Sequence, residues 1–143
     1  MTAYLDSSIV LAYYLTETYS EQTQEIYRTR SELQVSELAE LEVLSTLSRL
    51  ARVRSIELDD ARSITTLFDT HLRDGLYGRR TLGNDHYRLA RDFIARFDLP
   101  LKAPNALHLA LCSAENLTLL TADRQLARNA EAIGVRTELV GRA

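Results

Sequence analysis

The sequence predicts an α/β fold in which a small, mostly parallel sheet lies between layers of helices. Short apolar segments of strand length alternate with longer segments of helical periodicity along the chain. Strands separated by helices are joined by crossover connections, which produce parallel pairing. The chain has 143 residues, which suits one domain with its own core, so we expect a single domain over residues 1–143.

The first half of the chain predicts two strands and four helices. Ser7 or Ser8 is expected to cap the first helix and Ser36 the third, because a serine hydroxyl accepts a hydrogen bond from a free backbone N–H. The predicted strands are Thr2–Leu5 and Leu33–Val35. The predicted helices are Ile9–Leu15, Tyr19–Arg30, Ser36–Arg52 and Leu58–Leu72.

The second half begins with a loose segment, 74–83, which contains three glycines and allows a short strand at Arg80–Leu82. Apolar residues recur every four positions at Leu89, Phe93 and Phe97 and predict an amphipathic helix, which Pro100 ends. The predicted helices are Asp85–Phe97, Pro104–Glu115 and Asp123–Ile133. The predicted strands are Leu117–Leu120 and Val135–Val140.

Composition narrows the class of protein. The net charge of −3 argues against a protein that coats nucleic acid through its overall field. We find no apolar run of membrane-spanning length and no secretory signal, so we expect a cytoplasmic protein without membrane contact. The lone cysteine, Cys112, lies in an apolar periodic segment and is expected to be a buried free thiol.

Two aspartates lie just after predicted strands. Asp6 follows the first strand, in YLDSS, and Asp123 follows LTLLT, in TAD. Ligands of open parallel sheets bind at the carboxyl ends of the strands, and crossover connections bring the ends of separate strands to one edge. Both aspartates also stand at helix starts, where capping is their ordinary role. Each is therefore a candidate site residue with helix capping as the alternative.

Two further positions are candidates on weaker grounds. Glu42 lies on the more polar arc of its helix, which fits either a solvated residue or a site residue. Asn105, at a helix start, is expected to act as an N-cap or to face the site. His108 lies one turn further on, and its leucine neighbours favour a packed, hydrogen-bonded histidine over a ligand or base.

Clustered carboxylates repel one another at low dielectric and persist near neutral pH mainly by sharing a cation or a proton. A set of oxygen ligands suits Mg²⁺ or Mn²⁺ rather than zinc. Such ions bind phosphate oxygens and lower the pKa of a bound water, which is the chemistry of phosphodiester hydrolysis. The candidate acids therefore indicate metal-assisted hydrolysis if the fold brings them together.

The residues resemble a known family at this point. The motifs that carry the resemblance are YLDSSIVLAYYL, the Ser36–Arg49 segment with Glu42, LKAPNALHLALC, and LLTADRQLARNAEAIGV. Together, and in this order, they are similar to PIN-domain ribonucleases of the VapC toxin type. The resemblance implies a three-layer α/β/α fold, a Mg²⁺ or Mn²⁺ site, endoribonuclease activity on RNA, a cognate antitoxin that occludes the site, and a homodimer.

The resemblance also implies residue roles. Asp6 and Asp123 would bind the ion, and Glu42 would complete the acidic wall or hold a metal-bound water. Hydroxyl groups that would orient these carboxylates are those of Ser7, Ser8 and Thr121. On the last helix, Arg124 and Arg128 would contact RNA, with solvated surface charges as the alternative.

One residue departs from the family pattern. Where the family most often carries a third aspartate, this chain has Asn105, which keeps a carbonyl oxygen but no charge. Either a natural variant of altered activity or an engineered change accounts for it. The site would then attract Mg²⁺ less strongly.

Two other functions compete with the nuclease. A catalytically silent PIN fold that binds RNA or a partner would explain Asn105. A phosphatase of the haloacid-dehalogenase type also begins with an aspartate after its first strand. Those enzymes usually carry a second aspartate two residues later, where this chain has Ser8.

Overall fold

A computed structural model describes residues 2–15 and 20–141 of the chain. The five strands in these ranges are β1 (Ala3–Leu5), β2 (Leu33–Ser36), β3 (Tyr77–Arg80), β4 (Thr118–Thr121) and β5 (Thr137–Leu139). The seven helices in the same ranges are α1 (Ser7–Tyr14), α2 (Ser20–Thr29), α3 (Glu37–Arg52), α4 (Leu58–Arg73), α5 (Asn84–Ile94), α6 (Ala103–Glu115) and α7 (Arg124–Ile133).

All five described strands pair in parallel, in the order β3-β2-β1-β4-β5. The central strand, β1, lies between β2 and β4, so residues after these three strands reach the same edge of the sheet. Parallel pairing follows from the helices between consecutive strands, because each crossover returns the chain in the same direction. The predicted α/β fold with a parallel sheet between helices is confirmed.

Alternating side chains of the strands supply the cores of both layers. Ala3 and Leu5 of β1 pack with α1, α3 and α4, whereas Tyr4 packs on the opposite face with α6 and α7. Leu120 and Leu119 of β4 divide in the same way. The single cysteine, Cys112, is a buried free thiol on the second face, as predicted.

Several helix ends differ from the prediction. Helix α1 is capped by Asp6 rather than by Ser7 or Ser8, because the Asp6 carboxylate accepts hydrogen bonds from the N–H groups of Ser8 and Ile9. The predicted start of α2 at Tyr19 lies outside the described residues. Helix α3 does have Ser36 as its N-cap, with Oγ accepting from the Ala39 N–H.

Helix α5 ends three residues earlier than its apolar spacing predicts. Its C-cap is Ala95, and Phe97 adopts a φ of 57° outside the helix with 89% of its surface exposed. The prediction that Phe97 extends the buried stripe is therefore wrong. At the other end of the following loop, α6 begins after Lys102, so Asn105 lies inside its first turn and is not the N-cap.

Four strands are displaced or shortened relative to the prediction, and β1 is one of them because it begins at Ala3 instead of Thr2. Strand β3 is Tyr77–Arg80 instead of Arg80–Leu82, because Tyr77 buries its ring against Phe68 and pairs with Leu33. Strand β4 is shifted by one residue from Leu117–Leu120, so Thr121 belongs to it. Strand β5 spans only the middle of the predicted Val135–Val140.

None of the helices within residues 2–15 and 20–141 is both long and apolar enough to cross a membrane.

Candidate active site

The candidate residues lie at the carboxyl edge of the three central strands. Asp6 follows β1, Ser36 ends β2 and Thr121 ends β4, and these strands are neighbours in the sheet. Helices α1, α3 and α7 begin at this edge, so the first turn of each directs backbone N–H groups toward it. The edge is therefore suited to negatively charged groups.

The carboxylate of Asp6 is buried, with only 5% of the residue exposed, and four donors surround it. Oδ1 accepts from the Ser8 N–H at 3.1 Å, the Ser8 hydroxyl at 2.6 Å and the Ile9 N–H at 3.3 Å. Oδ2 accepts from the Thr121 hydroxyl at 2.5 Å. These hydrogen bonds replace the water that burial removes.

Burial raises the pKa of the Asp6 carboxyl above its ordinary value of 3.8. The hydrogen bonds from Ser8 and Thr121 and the nearby His108 oppose the shift without cancelling it. A carboxyl group in this condition gains from a nearby cation, because the cation stabilises the charged form that burial disfavours. The Asp6 site therefore favours a bound positive charge.

Asp123 is joined to Asp6 through a single threonine. The Thr121 hydroxyl donates to Asp6 and accepts from the Asp123 N–H at 3.0 Å. Asp123 is exposed and caps α7, because its Oδ1 accepts from the N–H groups of Gln125 and Leu126. Its Oδ2 has no hydrogen bond to the described part of the chain. Both aspartates therefore do cap helices, as the alternative proposed. Capping uses only Oδ1 of Asp123, so its other oxygen can still bind a ligand.

Glu42 is held by a histidine from the opposite helix layer. Its Oε1 lies 2.6 Å from Nε2 of His108, which is 1% exposed. The other ring nitrogen, Nδ1, lies 2.7 Å from the Tyr4 hydroxyl, which in turn lies 2.7 Å from the Ser36 hydroxyl. The structure thus shows the packed, hydrogen-bonded histidine that its leucine neighbours favour, and it also connects that histidine to Glu42.

Asn105 lies one turn before His108 on α6 and is half-buried. Since residues three apart on a helix share a face, its side chain lies on the side of α6 that carries His108. Its amide makes no side-chain hydrogen bond within the described residues. Asn105 is therefore an oxygen donor available for a ligand at this edge.

The structure brings the candidates into two linked pairs rather than one cage. The Thr121 hydroxyl links the Asp6 carboxylate to the backbone N–H of Asp123, and Glu42 is bonded to His108. Among the described residues, no three His, Cys, Asp or Glu side chains are arranged to hold a metal ion. Ser8 and Thr121 contact Asp6, whereas no such hydrogen bond joins Ser7 to a candidate acid in the described part of the chain.

The oxygen donors of this edge nevertheless fit a magnesium-like ion by their chemistry. Mg²⁺ usually keeps several waters and binds through one or two carboxylates plus substrate phosphate oxygens. The Asp6–Asp123 pair supplies two carboxylates, and Oδ2 of Asp123 is free of hydrogen bonds within the described residues. The chemistry of these donors therefore suits a hydrated hard cation, with Asp6 and Asp123 as its candidate ligands.

Two arginines predicted to contact RNA lie on α7, directly after Asp123. Arg124 and Arg128 are both exposed, and Arg128 donates to Gln125 at 3.0 Å.

Sequence reasoning missed the contribution of Tyr4 and Ser36 to the site. Their strand positions were visible, but neither residue type signals a connection to an acid on another helix.

Comparison with known proteins places the chain in a family. The family model described as PIN domain matches residues 3–132. A search of curated proteins finds no match.

Solved structures share the fold at low sequence identity. VapBC2 from Rickettsia felis, solved with a DNA fragment from its promoter, has a TM-score of 0.69 and 15% identity, covering 99% of this chain and 100% of its own. VapC20 from Mycobacterium tuberculosis, a sarcin–ricin loop cleaving toxin, has a TM-score of 0.69 and 12% identity, covering 89% and 94%. VapBC from Salmonella typhimurium, solved with DNA, has a TM-score of 0.66 and 12% identity, covering 96% and 97%.

These identities show a shared fold, and the family model shows the membership. The family model covers nearly the whole chain, including all four candidate positions. The chain belongs to the PIN domain family.

Proposed function

We propose that this protein is a Mg²⁺- or Mn²⁺-dependent endoribonuclease that acts as the toxin of a toxin–antitoxin pair. The observation that carries the proposal is the linkage of Asp6 and Asp123 through Thr121 at the carboxyl edge of adjacent parallel strands. Nucleases of the PIN family generally use divalent metal ions. Because the chain belongs to this family, we set aside the alternative of a haloacid-dehalogenase phosphatase. We also infer that the chain works as one domain over residues 1–143.

The residues at the carboxyl edge of the sheet would have different roles in phosphodiester hydrolysis. Asp6 and Asp123 would hold the ion, with the Asn105 carbonyl oxygen as a further neutral ligand. When bound, the ion withdraws charge from a phosphate oxygen and lowers the pKa of a nearby water. Glu42 would accept the proton of the attacking water. Arg124 and Arg128 on α7 would contact the RNA phosphates next to Asp123.

A second candidate function rests on Asn105. Without a third aspartate at this position, the chain has one charge fewer to attract a divalent ion. A silent PIN fold that binds RNA or a partner would have the same architecture. The two functions are separated by whether purified protein cleaves RNA once Asn105 is replaced by aspartate.

The partners are proposed from the solved relatives and from the surface. The solved structures that share the fold include VapBC complexes bound to DNA and a toxin–antitoxin complex from Klebsiella pneumoniae, which supports a cognate antitoxin for this chain. A homodimer is supported by exposed apolar side chains on and after α5, at Tyr87, Ile94 and Phe97. We place the protein in the cytoplasm, where an RNA target would be met.

The antitoxin would dock in an apolar groove between α3 and α4. The groove has a volume of about 740 Å³. Its lining residues include Leu44, Leu47, Ala51, Leu58 and Ala61, together with Arg52 and Arg62. Apolar walls with flanking arginines complement an amphipathic helix that carries acidic residues along its edges.

The first prediction separates capping from metal binding at Asp123. Asparagine is as good an N-cap as aspartate, so Asp123→Asn should change the free energy of unfolding by less than about 1 kcal/mol. Loss of a carboxylate ligand should reduce Mn²⁺-dependent RNA cleavage by at least about 100-fold. Cleavage of a structured RNA measures the effect, and EDTA should abolish it in the unmodified protein. Asp85→Asn, on the exposed start of α5, is the control and should retain cleavage.

The second prediction concerns Asn105. Asn105→Asp adds a charged oxygen ligand and should raise Mn²⁺ affinity by about tenfold, with a faster cleavage rate. Isothermal titration calorimetry measures the affinity. Asn84→Asp adds the same charge at an exposed helix start and should leave affinity unchanged. Equal affinities for Asn105→Asp and the unmodified protein would remove Asn105 from the site.

The third prediction follows from the raised pKa of Asp6. In metal-free protein, the folded chain keeps a proton on Asp6 at pH values where the unfolded chain has lost it. The Asp6 contribution to the free energy of unfolding should therefore fall as pH rises from 3.8 through the raised pKa, and then level off. Urea unfolding at several pH values, compared with Asp6→Asn, isolates this contribution. A difference between the two proteins that does not vary with pH would contradict it.

The fourth prediction tests the antitoxin groove. Leu58→Glu places a negative charge on its apolar wall and should weaken antitoxin binding by at least about tenfold. The probe is the product of a small reading frame adjoining this gene, co-expressed with the protein. Leu67→Glu, on α4 but outside the groove lining, is the matched control. Equal loss of binding in both variants would place the antitoxin elsewhere.

A further inference from the structure

We propose that a directed line of hydrogen bonds through Ser36, Tyr4 and His108 positions Glu42 for catalysis. The inference rests on the proposed nuclease function, since it assigns Glu42 a fixed orientation at that site. Its three members are positioning residues, because none of them carries a free group toward the metal-binding acids. The line begins at Ser36, the N-cap of α3, and ends six residues further along the chain, at Glu42 on the same helix.

The carboxylate end sets the direction of the bonds when the His108 ring is neutral. At one end, the Ala39 backbone N–H can only donate, and Ser36 Oγ accepts from it at 3.2 Å. At the other end, a carboxylate can only accept, so Nε2 of His108 must donate to Glu42.

The middle bonds follow from one proton on each hydroxyl. A neutral ring that donates from Nε2 accepts at Nδ1, so the Tyr4 hydroxyl donates to Nδ1 and the Tyr4 oxygen accepts from the Ser36 hydroxyl. Each proton is then used once and each acceptor is filled. The neutral His108 ring therefore carries its hydrogen on Nε2. Reversing the line would move that hydrogen to Nδ1 and leave Nε2 and the Glu42 carboxylate facing each other as two acceptors.

Burial makes this arrangement rigid. Ser36 and Tyr4 have no exposed surface and His108 is almost completely buried, so water does not compete for their bonds. The members come from β1, the end of β2 and α6, and each is held by the packing of its own element. Glu42 is half-buried at the outer end, which leaves it accessible to water.

The line commits one oxygen of Glu42 and leaves the other available. Oε1 is bonded to His108, whereas Oε2 has no hydrogen bond within the described residues. The bond between Glu42 and His108 agrees with the lack of a three-acid metal site among the described residues. Glu42 would then act on a water rather than as a direct metal ligand. A fixed proton acceptor of this kind contributes through orientation.

The effect of nearby charges on Tyr4 shows that the line of hydrogen bonds runs close to Asp6 and Glu42. Burial is the main cause of the raised Tyr4 pKa, and the charges of Asp6 and Glu42 add to it. Tyr4 is also adjacent in sequence to Leu5, which precedes Asp6. The line therefore lies next to the proposed metal-binding pair without replacing either of its members.

The test removes one hydroxyl from the line and compares it with a hydroxyl elsewhere. Tyr4→Phe deletes the bonds to Ser36 and His108 but keeps the buried ring. The control, Tyr77→Phe, removes a buried hydroxyl that bonds to Tyr14 and Tyr27 on the other side of the sheet. Both variants lose two tyrosine hydrogen bonds, so their losses of stability should be similar.

We expect Tyr4→Phe to lower kcat by about tenfold or more with little change in KM, because substrate binding does not use Glu42 orientation. Mn²⁺ affinity measured by calorimetry should stay within about twofold, since Asp6 and Asp123 are intact. Tyr77→Phe should cleave at the unmodified rate. Equal kcat values for Tyr4→Phe and Tyr77→Phe would overturn the inference.

A second measurement needs neither cleavage nor a folded variant. Nitrogen-15 NMR of the metal-free, unmodified protein should show His108 with its hydrogen on Nε2. A hydrogen on Nδ1 would reverse the direction of the line and overturn it. If the unmodified protein cleaves no RNA, the proposed function fails, whereas the NMR result still decides the line by itself.

Discussion

The buried carboxylate of Asp6 is the constraint on which the rest of the site depends. Placing it at the end of the central strand would be costly without partners, and four donors offset that cost. Two of these hydrogen bonds cap α1, the third comes from the Ser8 hydroxyl, and the fourth comes from Thr121 at the end of β4. The same bonds therefore solvate the charge, begin a helix and set the approach of Asp123 to Asp6.

Capping and ligand binding are compatible at these positions. A carboxylate has more acceptor capacity than an N-cap uses, and Asp123 spends only Oδ1 on α7. Helix starts at the carboxyl edge also provide partial positive charge, which allows acids to stay close together before a cation arrives. The fold thus keeps an acidic edge without requiring a preformed cage, and Asn105 lowers the repulsion there further.

Much of this arrangement could be predicted from sequence because it depends on local signals. The alternation of strands and helices predicts parallel pairing, and the positions of Asp6 and Asp123 after strands place them at one edge. Strand β3 was misplaced because its Tyr-Gly-Arg-Arg sequence has little strand character, and its pairing with β2 decides its position. The contact between Tyr4 and His108 joins residues 104 positions apart, which periodicity does not reveal. Helix α6 begins at Ala103, before Pro104, because proline fits the first turn of a helix. Asn105 therefore lies within that turn instead of capping it.

The proposed nuclease site requires a cation shared by two acids. The most direct measurement is anomalous diffraction from crystals of this protein grown with Mn²⁺. It should show a manganese peak within ligand distance of both Asp6 and Asp123, with Glu42 still bonded to His108. A peak at other side chains, or none at saturating Mn²⁺, would contradict the account.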